Sequence, residues 1–116
     1  GSANVPASRR TGAAADRLGR AKEWAAQNTR FRISYYLGVA QLQMAIAADN
    51  EAQAASARPQ AAVRCEAARR EADLLALVEA NVTEGGRADP DRAQQILTQA
   101  IPAYRQRATA FQRACS

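Results

Sequence analysis

A chain of 116 residues with a formal net charge of +5, no histidine and aromatic residues at only 5% fits one domain whose core comes from close helix approach around a few large side chains. Without His the commonest general base, metal ligand and haem ligand are lost together, so the expectation is a non-enzymatic protein with no metal and no cofactor. No apolar run reaches the roughly 18 residues of a membrane span.

Helix formers dominate and β-branched residues are few, so the fold class expected is all-α, an antiparallel up-down-up-down bundle of four helices. Gly1-Ser2 reads as a tag-cleavage remnant, and residues 1–10, with Pro6, as a flexible arm ahead of a single bundle domain over 11–116. Residues 13–56 contain neither Pro nor a Gly pair. Either they form one helix about 65 Å long, or they break at Asn28-Thr29 with Asn28 or Thr29 as a cap. Length favours the break, because helices of about 25 residues cannot cover so long a rod. An unbroken helix would leave a three-helix bundle whose overhang needs a second copy, hence a homodimer.

Over 31–55, Ile33, Leu37, Ala40, Met44 and Ala47 form one apolar face and Tyr35, Val39, Leu42 and Ile46 another, with Ser34, Gly38, Ala45 and Ala52 as a small-residue strip between them. Such a helix is central, or its second face is an interface. Arg58-Pro59 ends it, and Pro59 suits the first turn of the next. That helix, about 59–83, places Val63, Ala67, Leu74, Leu77 and Val78 on one face and Cys65 on nearly the opposite side. Glu84-Gly85-Gly86 stops it. Asp89-Pro90-Asp91 starts the last helix, with Asp89 as N-cap and Pro90 at N1. Ala93, Leu97, Ala100, Tyr104, Ala108, Phe111 and Cys115 share one face at helical period over about 90–114, which points Cys115 inward. Pro102 predicts a kink between Thr98 and Pro102. In size, helix order and its Arg-rich last helix bearing Tyr104, the chain resembles periplasmic four-helix cytochromes. Lacking their haem-ligating His, it takes no functional residue from that resemblance.

Cys65 and Cys115 match no zinc, thioredoxin-like or haem-attachment spacing. A disulfide between them would close a loop of about 50 residues, worth on the order of 4 kcal/mol, and would place the protein in the periplasm or outside the cell. The other reading is two buried thiols. A straight hairpin sets Cys65 level with residue 108, about 10 Å short of Cys115. Either the Pro102 kink or a C-terminal tail folding back closes that gap, or the pairing is intermolecular.

Charge and aromatic placement give the partner expectations. In an up-down bundle the end with turns near 28 and 84–89 balances its charges, and the basic surplus falls at the other end, which includes Arg58, Arg64, Arg107 and Arg113. These residues either pair across helices or dock a protein with an acidic surface. Trp24, Phe31 and Tyr35 form a stripe flanked by Arg20, Arg30 and Arg32. Tyr35 and Tyr36 cannot both face one core, so Trp24 and Tyr36 join the arginines as partner-binding candidates. Acids are interspersed with the arginines and no nucleic-acid motif is present, so nucleic acid is not favoured. Two functions fit: a protein-binding module of the immunity, inhibitor, adaptor or assembly-factor type, and a sensor or ligand-binding bundle with an apolar cavity between its helices, beside Gly38, Ala45 and Ala47.

Overall fold

The computed structural model describes residues 7–24 and 26–115, with their side chains apart from those of residues 7–10, 23, 24, 27 and 28. Three long helices come first: α1 (Ala7–Trp24), α2 (Gln27–Ala57) and α3 (Ala61–Gly85). A 3-10 turn (Gly86–Ala88) leads to the last rod, made of α4 (Pro90–Gln95), a π turn (Ile96–Ala100) and α5 (Ile101–Phe111). No strand occurs among the described residues, and no described helix is long and apolar enough to cross a membrane. The fold is an all-α helical bundle of four rods. α1 starts at Ala7, inside the segment read as an arm.

Small residues set the centre of the bundle. On α2, Ser34, Gly38, Gln41, Ala45, Ala48, Ala52 and Ala55 recur at alternating steps of four and three, and all are buried. On α3, Ala68, Glu71, Leu75, Val78, Val82 and Gly85 do the same. Two such stripes lie along each other as an antiparallel, coiled-coil-like pair. The short side chains let the backbones approach: a Cβ on Gly38 would meet Val82 Cγ2 at 2.8 Å, and one on Gly85 would run into the α2 backbone at Phe31 and Tyr35. The strip beside Gly38 is therefore filled by α3, and the closest approach of the two helices is at Gly85.

The apolar core lies between this pair and the last rod, where Tyr35, Leu42, Leu75, Val78, Val82, Ile96 and Ile101 pack together. Leu75, Ile96 and Ile101 are at most 1% exposed, and each buried side chain of this size contributes roughly 2 kcal/mol of apolar burial. α1 packs chiefly on α2. At 18 residues against 31, it covers about 27 Å of a rod about 46 Å long. One face of α3 departs from expectation: Ala67 and Val78 are buried, but Val63 is 41% and Leu77 48% exposed. Ala47 of α2 also faces solvent.

The break in residues 13–56 falls earlier than the expected Asn28-Thr29. α1 ends at Trp24, Ala26 is extended, and Asn28 and Thr29 belong to the first turn of α2. The Thr29 hydroxyl donates to the Ala26 carbonyl rather than capping a helix. Glu84 of α3 places the corner, since its carboxylate takes Lys22 of α1 at 2.9 Å and Arg30 of α2 at 3.1 Å. Between α2 and α3, Arg58 is extended ahead of Pro59, as the residue before proline must be, and α3 starts at Ala61. Asp89 caps α4 as expected, accepting from the Arg92 amide at 3.3 Å with Pro90 next to it.

Where a kink was expected, the last rod holds a π turn. Ile101 donates to the Ile96 carbonyl, five residues back, just ahead of Pro102. The helix then ends at Phe111 and not near 114, so Cys115 lies beyond it, half-buried. The chain doubles back through Ala114, whose φ of 63° is left-handed, an uncommon conformation for a residue other than Gly. Arg64 supports that turn by donating to the carbonyls of Phe111 at 2.6 Å and Arg113 at 2.9 Å. Cys65 and Cys115 thereby meet within one chain at disulfide geometry, with Cα atoms 5.9 Å apart. The pairing is thus within one chain, with Cys115 on the turn that follows α5.

Candidate functional site

The helix register of α2 sets two neighbouring tyrosines on different sides. Tyr35 is buried in the core, whereas Tyr36 is 58% exposed. Their rings touch edge to face with centroids 5.4 Å apart, so the buried ring orients the exposed one. Burial raises the Tyr35 hydroxyl pKa, and the nearby Asp89 carboxylate adds to the shift. Arg32 stands one turn before Tyr36 on the same face. Phe31 is half-buried, with the Arg87 guanidinium 3.9 Å from its ring centroid and Arg32 at 5.5 Å. These are cation–π distances. Arg87 arrives from the 3-10 turn because Gly85, lacking a side chain, lets the end of α3 rest against the α2 backbone. Phe31, Arg32, Tyr36 and Arg87 thus form one aromatic and basic face at the end of the bundle that carries both the α1–α2 corner and the turn after α3.

The other arginines of interest divide by what they hold. Arg30 is tied to Glu84, whose carboxyl pKa is lowered chiefly by the hydrogen bond from Lys22. Lys22 also donates to Asn81, which donates to Gln41 at 2.8 Å in the buried seam. Arg64 is spent on the C-terminal turn. Arg107 donates to both carboxylate oxygens of Asp49, with its shortest contact 2.6 Å, and also reaches Gln53. Arg20, Arg58 and Arg113 are exposed and form no ion pair among the described residues. The Trp24 side chain lies outside the described residues.

The sequence reading missed the most unusual group in the core. Glu71 has no exposed surface, Asp49 has 1%, and neither Glu71 oxygen accepts a hydrogen bond. Burial, the hydrogen bond with Asp49 and the charge of Asp49 together push the Glu71 carboxyl up to about 8, against an opposing pull from Arg107. Two enclosed carboxyls facing each other repel unless one is protonated, so the raised Glu71 group is the one that keeps its proton and Asp49 the one that stays ionised. Burial works to raise Asp49 as well, but hydrogen bonds from Arg107 and Glu71 outweigh it and hold that carboxyl below its usual range. The signal was present: Glu71 continues the four-three spacing of Ala68, Leu75, Val78 and Val82 along the buried stripe.

The described surface grooves are open ones. One, about 480 Å³, is lined by Cys65, Glu66, Arg69, Gln112 and Cys115. Another, about 350 Å³, runs past Leu42, Ile96 and Ala100. No group of His, Cys, Asp and Glu able to hold a metal occurs among the described residues. Comparison with protein-family models, curated proteins and solved structures found no match to this chain.

Proposed function

We propose that the chain is a non-enzymatic helical module that binds another protein through the face formed by Phe31, Arg32, Tyr36 and Arg87. The observation that carries this reading is the exposed but oriented Tyr36 ring, braced by Tyr35 beside two arginines that have no ion pair among the described residues. Aromatic and arginine side chains held in place before binding lose little freedom on association and dominate interface energetics. Two guanidinium groups without a carboxylate among the described residues favour a partner that presents carboxylates there. The Cys65–Cys115 pairing supports an oxidising compartment, the periplasm or the cell exterior. The Asp49–Glu71 pair has almost no exposed surface through which to act on a substrate, which fits a role in binding better than one in catalysis. A small-ligand bundle is less favoured, because Gly38 is filled by Val82 and Ala47 is on the surface.

The test starts with a photo-reactive amino acid at position 36 and covalent capture in the cells that make the protein. Affinity for the captured partner is then measured with Tyr36→Ala and Arg32→Glu. The reading expects at least tenfold weaker binding for each at unchanged thermal stability, with affinity falling as salt rises. Unchanged affinity in both variants would remove this face from consideration.

A further inference from the structure

Glu71 sits where three elements meet. From α2 it faces Asp49, from α5 it faces Arg107 with Tyr104 beside that guanidinium, and its α3 neighbours Glu66 and Arg70 turn outward. No charged group of α1 acts on it among the described residues. Arg107 is 44% exposed, but it grips an Asp49 carboxylate that is almost wholly enclosed. Besides this grip, α5 is held by its buried Ile101 and Ala108, by Tyr104 against the core, by an exposed Arg105–Glu79 ion pair at 2.8 Å and by Arg64 on the Phe111 carbonyl. At its ends it is bounded by the π turn and by the disulfide that follows Phe111.

We propose that Glu71, Asp49 and Arg107 form a proton-operated latch that fixes α5 on the α2–α3 pair near neutral pH and lets it loosen under mildly alkaline conditions. With the proton on Glu71, its hydroxyl donates to Asp49, and the site carries one negative charge against one guanidinium. Base removes that proton to water, breaking the O–H bond and leaving two carboxylates enclosed with a single cation. A buried carboxylate without donors is strongly disfavoured. The donors open to it are Arg107, which must then leave part of Asp49, and water, which enters only where α5 moves aside. The π turn and the disulfide keep that movement local to residues 101–111. The latch is independent of the face around Tyr36.

Two measurements on the intact oxidised protein test this. Carbon-13 NMR follows the Glu71 carboxyl through a pH titration. Amide hydrogen exchange, corrected for the intrinsic pH dependence, compares residues 103–111 with residues 38–48 of α2 between pH 6 and 9.5. The latch requires Glu71 to titrate well above the ordinary carboxylate range, and α5 protection to fall at least tenfold relative to α2 over the same interval. In Glu71→Gln, a neutral isostere, that relative fall is lost. If Glu71 titrates with the other carboxylates, or if the protection ratio stays constant through its titration, the proposal is overturned. Should Glu71→Gln fail to fold, the two wild-type readouts decide on their own.

Discussion

Replacing both cysteines by alanine, Cys65→Ala with Cys115→Ala, tests how much the C-terminal tether contributes. The two positions are 50 residues apart in sequence, and in the chain-entropy treatment a loop of that size restricts the unfolded chain by about 4 kcal/mol. Unfolding entropy near the midpoint is about 2.1 cal/mol/K per residue, or roughly 0.24 kcal/mol/K over the chain, so Tm should fall by about 17 °C. The folded state itself should change little, because Arg64 still holds the carbonyls of Phe111 and Arg113. Circular dichroism melts of the oxidised protein, the reduced protein and the double variant measure the effect. The reduced protein and the variant should coincide. In the variant background, Arg64→Met should remove a further 1–3 kcal/mol or so, since charged donors leave two carbonyls, and it should matter less while the disulfide is intact. A Tm fall below about 5 °C would refute the loop-entropy account. A large fall confined to the reduced wild type would point instead to repulsion or chemistry of the free thiols.

The glycines of the central seam should separate cleanly. Gly85→Ala forces a Cβ into the backbone of Phe31 and Tyr35 and should cost about 3 kcal/mol or more in urea denaturation. Gly38→Ala meets a Val82 methyl at 2.8 Å and the Val82 backbone nitrogen at 3.2 Å, and the gain in helix propensity offsets about 1 kcal/mol, so it should cost clearly less than Gly85→Ala. Equal losses would mean that the seam is not as close as described. Stability should also depend on pH in a definite direction. Glu71 binds its proton more tightly folded than unfolded, with a carboxyl at about 8 against a reference value of 4.5. Its stabilising effect is complete below about pH 4.5 and declines as pH rises to about 8, by several kcal/mol at roughly 1.4 kcal/mol per unit. Asp49 acts in the opposite sense, with stability lost at acid pH as its lowered carboxyl is protonated. Urea midpoints across pH 3–10 should therefore peak on the acid side of neutrality, and Glu71→Gln should flatten the alkaline slope. Tyr36→Ala should change stability by less than about 1 kcal/mol, which keeps it usable as a probe of binding.

The helices were legible where the chain carries its own punctuation. Arg58-Pro59, Gly85-Gly86 and Asp89-Pro90 mark their boundaries by local backbone chemistry, and Pro102 announced the irregular turn ahead of it. The α1–α2 corner was misplaced because nothing near Asn28 breaks a helix. Its position is set from α3, by one Glu84 carboxylate that gathers Lys22 and Arg30 from both sides. The end of α5 was overrun for a similar reason: a favourable apolar spacing continues to Cys115, while the requirement to meet Cys65 is a tertiary one. Arg64 and Arg107 looked available for a partner because sequence gives charge but not reach, and the carbonyls and the carboxylate they hold lie about 50 residues away along the chain. Glu71 gave no separate signal as an acid, although its place in the stripe of Ala68, Leu75 and Val82 marks it as internal.

The π turn at Ile96–Ala100 means that the last rod holds one residue more than its two ends need. Deleting solvent-facing Thr98 would let the rod run on as ordinary helix, with Arg107 still over Asp49 and Cys115 still beside Cys65. Deleting Ala103 a few positions later would swing both off their partners by about 100°. Length variation should thus be absorbed at one site in this segment and be ruinous a turn further on.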